Sequence, residues 1–106
     1  MMKVKFANGV VKDCNAPTEQ KVFKTASGEQ GWILLLKLIG EITSNDVDAM
    51  LTTDNIGHLE FLTVEENGNE KKLFELDGYN KITSSTIRHS EDTNATSVDI
   101  QLTKGI

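Results

Sequence analysis

Cys14, His58 and His89 are the only thiol and imidazole groups in the chain, and these are the side chains best suited to nucleophilic attack or transition-metal ligation. With a single cysteine no intrachain disulfide can form, and a zinc site would have to draw on the two histidines and on carboxylates. His58 stands at the start of one expected strand and His89 near the end of another, so they are no close ligand pair in sequence and could converge only through the tertiary arrangement. Cys14 reads as a small buried or edge residue and is assigned no chemistry. Ser85, His89 and Asp92 supply the residue types of a nucleophilic relay, but their spacing in a strand and turn says nothing of a hydrogen-bonded chain. Asp46 and Asp48 lack the following glycine and distant glutamate of a calcium loop, and neither Gly28 nor Gly31 leads into a phosphate-binding lysine. The expectation is a protein with no catalytic residues, no metal ligands and no cofactor.

What remains is a surface that could hold a partner. Glu60, Glu65, Glu66, Glu70 and Glu75 cluster in one stretch, with Tyr79 close behind, and these six are the expected partner-binding residues. Residues 1–24 carry a local net charge of +3 and the other 82 a net of −8, for −5 overall. Most of the surface should therefore repel a phosphate backbone, which disfavours nucleic acid as the main partner.

These side chains must be positioned by strands. In a chain of 106 residues, 38% apolar and 25% charged, one domain spanning 1–106 is the expected organisation, since halves would bury too little apolar surface. Asn67-Gly68 is the dipeptide of a two-residue type I′ hairpin turn. That turn sets Leu62 against Leu73, Phe61 against Phe74 and Leu59 against Leu76, three apolar cross-strand pairs that fix a register. It also sets Glu60 against Glu75, so that face should meet solvent or an external cation. Asn8-Gly9 predicts a second hairpin, pairing Phe6 with Val11 and Ala7 with Val10, although Lys5 would then oppose Lys12. Pro17 breaks the chain for want of a ladder N–H, a strand is expected near 21–24, and Thr25 to Gly31 reads as a turn or loop.

Trp32 to Ile39 is apolar at both parities, which predicts a central strand covered on both faces. Trp32 is expected in the core. Thr43-Ser44-Asn45-Asp46 offers hydroxyl caps and first-turn acids, and Val47, Met50 and Leu51 follow helical spacing, so one short helix is expected near 44–53. Thr83-Ser84-Ser85-Thr86 suits a half-exposed or edge strand, and Ser90 to Ala95 a hairpin loop. Val98, Ile100 and Leu102 alternate with Asp99, Gln101 and Thr103, giving one dry and one wet face. The fold class is α+β: a mainly antiparallel β-sandwich or partly open barrel of about 7–8 strands with that one helix. The N-terminus lacks a secretory leader's apolar stretch, and no segment approaches the ~20 apolar residues of a membrane helix. Asn94-Ala95-Thr96 matches a glycosylation acceptor and is read as a coincidence of a polar turn.

The segments GWILLLKLIGEITSNDVDAMLTTDNIGHLEFL and LFELDGYNKITSSTIRHSEDTNATSVDIQLTKGI resemble, in style and element order, small proteins of phages and prophages of Gram-positive bacteria. The likeness is to tail and head-tail virion proteins that combine a β-sandwich with one flanking helix, and it spans about two thirds of the chain. It implies a structural or accessory phage protein in the bacterial cytoplasm or the virion, assembling with itself or other phage proteins, often into rings. A long protruding hairpin typical of tube-forming members is not evident. Exposed edges such as Lys3 to Phe6 or Val98 to Thr103 would add to a neighbour. The alternative is a small acidic inhibitor of a host defence protein whose carboxylates mimic nucleic-acid phosphates.

Overall fold

The computed structural model describes residues 2–24, 29–40, 42–91 and 95–105. The loop expected from Thr25, together with Asp92 and Asn94, therefore falls largely or wholly outside the described residues. Eight strands appear in the order β1 (Met2–Lys5), β2 (Val11–Cys14), β3 (Thr18–Lys24), β4 (Glu29–Gly40), β5 (His58–Val64), β6 (Glu70–Asp77), β7 (Lys81–Ser90) and β8 (Ala95–Lys104). Between β4 and β5 lie α1 (Ser44–Met50) and α2 (Thr53–Ile56), so the one expected helix is divided at Leu51–Thr52. All pairings are antiparallel. The strands form one open sheet ordered β6-β5-β1-β2-β4-β8-β7, with β3 also on β4.

Both hairpins use the expected Asn-Gly dipeptide in an unexpected turn. Phe6 N–H donates to Val10 O and Gly9 N–H to Phe6 O, each at 2.9 Å. Glu65 N–H to Asn69 O and Gly68 N–H to Glu65 O repeat the pattern at 2.9 Å. Each loop thus has three residues, closed by a glycine at positive φ (+90° at Gly9, +83° at Gly68), the arrangement of a type I turn followed by a bulge. The asparagine carboxamide explains the choice. Asn8 Oδ1 accepts from Val10 N–H and Asn67 Oδ1 from Asn69 N–H, both at 3.0 Å, so the asparagine braces the turn from outside.

The extra loop residue shifts both registers by one. In the first hairpin Lys5 now faces Val11 and Val4 faces Lys12, while Lys3 faces Asp13 and forms an ion pair with it. The opposition of Lys5 to Lys12 is thereby avoided, and the expected Phe6–Val11 pair is not made. In the second hairpin Leu62 faces Lys72 rather than Leu73. An irregularity that leaves Leu73 without a partner then restores the expected register, and Phe61–Phe74, Glu60–Glu75 and Leu59–Leu76 all form.

Pro17 separates β2 from β3, and both lie along the same edge of β4, β2 at Leu38–Ile39 and β3 at Glu29–Leu35. Leu34, Leu36 and Leu38 of β4 join Val98, Ile100 and Leu102 of β8, Val4, Leu59 and Phe61 in one core. Ile42, Val47, Met50 and Ile56 bring the two helices onto it. A capping box starts α1: Asp46 N–H donates to Thr43 Oγ1 and Thr43 N–H to Asp46 Oδ2. The backbone bond from Thr43, followed by its hydroxyl, holds the Asp46 carboxyl below its usual range.

The opposite face of β4 is not covered as expected. Ile33 and Ile39 are half-buried, and Leu35 is exposed. It lies in a shallow groove of about 360 Å³ lined also by Asn15, Thr18, Ser84 and Gln101. Trp32 packs against the core from a half-buried position. Thr103, expected on the wet face, is buried, and its hydroxyl has no hydrogen-bond partner among the described residues.

Candidate functional site

Strand alternation decides which groups meet on the β5–β6 hairpin. Leu59, Phe61, Phe74 and Leu76 pack inward or stack, so His58, Glu60, Glu75 and Asp77 share the other face. His58 lies opposite Asp77 and Glu60 opposite Glu75, giving two adjacent cross-strand pairs. The imidazole joins them. Its Nδ1 is hydrogen-bonded to Asp77 Oδ1, while Nε2 is 3.5 Å from Glu60 Oε1 and 3.8 Å from Glu75 Oε2. Lys72, from the same hairpin, places its ammonium against Glu75 and 3.8 Å from Glu60.

Like charges set opposite one another on a sheet repel, and here two cations offset that repulsion. Asp77 chiefly, then Glu60, raise the His58 pKa above its ordinary 6.5. A raised folded-state pKa means that the contribution of protonated His58 to stability is complete below about pH 6.5 and fades as pH rises through the higher folded value. NMR titration of the imidazole is expected to give a midpoint above 6.5, and Asp77→Asn should bring it down; a wild-type midpoint at or below 6.5 would contradict this pairing.

The expected partner-binding residues divide into three groups. Glu65, Glu66 and Glu70 are exposed around the hairpin tip. Glu60 and Glu75 lie mid-hairpin, engaged by His58 and Lys72. Tyr79 offers nothing outward and is corrected to a core residue: its ring is fully buried beneath the Lys104 ammonium, 4.7 Å from the ring centre. Its hydroxyl donates to Glu19 Oε2 at 2.7 Å, which ties the β6–β7 connection to β3. Burial first, and Glu19 second, push the phenol pKa upward.

His58 and His89 do not converge, because β5 and β7 stand toward opposite ends of the sheet. His89 Nδ1 meets Thr96 Oγ1 at 3.0 Å instead. Cys14 is buried on β2, and desolvation, with Asp13 adding, pushes its thiol up to about 11, so it is a neutral packing group at physiological pH. Spacing along a single strand does not reveal the His58 quartet, because its members are joined across the ladder. Its signal was nonetheless present: His-x-Glu on one strand faces Glu-x-Asp on the next in the register already expected.

The strand edges are also redistributed. β1 is paired on both sides, by β2 and β5, and β8 likewise by β4 and β7, so the segments Lys3 to Phe6 and Val98 to Thr103 are interior. The sheet ends instead on β6 and β7, and β3 has one free side. Leu73 and Phe74 on β6 and Ile87 on β7 are three of the five large apolar side chains left exposed among the described residues, which concentrates apolar surface at the two ends. Among the described residues no helix is long and apolar enough to cross a membrane. Compared with known proteins, the chain matches no family model, no curated protein and no solved structure.

Proposed function

We propose that this chain is a non-catalytic assembly domain that joins copies of itself edge to edge, with β7 of one copy against β6 of the next. The observation that carries the reading is the complementarity of the two sheet ends. Six antiparallel pairings separate β6 from β7, so the two strands run in the same sense. A neighbour placed by rotation about an axis along the strands would therefore meet β7 with a parallel β6, and repetition of that contact closes a ring or extends a filament. Aligning Glu70 with Lys81 also aligns Leu76 with Ile87 and Asp77 with Arg88. Acid then meets base at both ends, with the apolar pair Leu76–Ile87 between them. β7 has no acidic residue, so it offers its own copy no acid–base pair, whereas β6 brings Glu70, Glu75 and Asp77 to it.

The setting proposed for this assembly is a phage or prophage particle, or an accessory role beside one, on the strength of the resemblance to head-tail and tail proteins. Mass measurement across concentration by sedimentation tests the contact. Oligomers that grow with concentration and that dissociate in the double variant Lys81→Glu/Arg88→Glu are expected. A strict monomer at every concentration would refute self-assembly.

One observation favours a second reading. The hairpin from His58 to Asp77 has six acidic side chains and two lysines, and Glu65, Glu66 and Glu70 are exposed near its tip. An acidic inhibitor mimicking phosphates would use this tip, remain monomeric, and bind a host defence protein only at low salt.

A further inference from the structure

We propose that His58 Nε2, Glu60 and Glu75 bind one divalent transition-metal ion of the Zn²⁺ type on the outer face of the β5–β6 hairpin. One ligand atom from each of the three lies within 4.8 Å of the other two, which brings a shared ion at metal–ligand distances of about 2.0–2.2 Å within reach of small rotamer changes. Backbone pairing fixes the spacing. Two ligands stand two residues apart on one strand and the third lies directly across from Glu60.

The imidazole separates this cluster from a merely acidic patch. Asp77 occupies Nδ1 and so turns Nε2 toward the two glutamates, the support that a carboxylate gives to a metal-ligating histidine, and an ion bound at Nε2 takes the place of its proton, which is released to solvent. Asp77 is thus a positioning residue. One nitrogen and two carboxylate donors suit Zn²⁺ better than the all-oxygen shells of Mg²⁺ or Ca²⁺, and an exposed site leaves room for water to complete the coordination. Lys72 now supplies the positive charge between the carboxylates, so it competes with the ion. The glutamates around the hairpin tip carry no imidazole and are not part of the site.

Calorimetric titration with Zn²⁺ in metal-free buffer tests this, using the Lys81→Glu/Arg88→Glu variant beside the wild type so that loss of assembly is not mistaken for loss of metal. One saturable equivalent is expected in both proteins. Asp77→Asn should weaken it by about 10–100-fold, His58→Ala should abolish it, Lys72→Gln should tighten it, and His89→Ala should leave it unchanged. Thermal unfolding supplies a second readout, since Zn²⁺ should raise the midpoint of the wild type and not of His58→Ala. Binding weaker than about 1 mM, or binding that survives His58→Ala in a folded variant, would overturn the site.

Discussion

Replacing Phe61 by alanine is expected to lower the unfolding free energy by about 3–5 kcal/mol, a large part of the roughly 5–15 kcal/mol available to a small domain. The reason is position. Phe61 is fully buried on β5, opposite Val4 on one side and Phe74 on the other, with the two rings stacked at 4.8 Å and 16°. Truncation removes buried surface, opens a cavity and leaves Phe74 without its partner. Phe74→Ala is the informative contrast, because that ring is 38% exposed on the sheet's end. It should cost little more than the stack, about 0.5–1.5 kcal/mol. Urea unfolding of both variants checks the difference, and equal losses would mean that the ladder's interior is not where the energy lies.

Asn55→Leu should cost about 1–3 kcal/mol, because it strands the buried Met50 carbonyl at that cost, while the Asn8 N–H, in an exposed loop, turns to water. Asn55 is 5% exposed. Its Nδ2 donates to Met50 O at 2.7 Å at the end of α1, and its Oδ1 accepts from Asn8 N–H at 2.7 Å in the first hairpin loop. Its backbone carbonyl also accepts from Ala7 N–H at 3.2 Å. One residue therefore joins the helical segment to the β1–β2 loop. Hydrogen exchange in the variant should show the Asn8 amide losing protection while the β8 amides retain theirs under native conditions. An Asn8 amide exchanging equally fast in both proteins would show that the contact does not form.

Periodicity made much of the ladder legible. The alternation of Val98, Ile100 and Leu102 placed the dry face of β8 correctly, and the spacing of Val47 and Met50 placed the buried stripe of α1. Thr43 served as the cap because a hydroxyl and an acid three residues on can satisfy each other's N–H groups. Turn geometry was legible only in part. Asn-Gly marks a tight turn, but whether the asparagine adopts positive φ or braces the loop with its carboxamide is a choice that flanking contacts settle. Each choice moves every later pair by one residue. In β6 an irregularity at Leu73 absorbed that shift, and dipeptide statistics have no view of it.

The sequence by itself determined an antiparallel α+β fold, the positions of its two Asn-Gly turns and the identity of most core residues, because those follow from local side-chain period and backbone chemistry. Only the tertiary structure decided which strands end the sheet, why Tyr79 faces inward to Glu19, and that His58 sits among Glu60, Glu75 and Asp77 rather than near His89. Strand order depends on contacts between segments far apart in the chain, whose free energy is a sum over many weak burials. No short window of residues records that sum.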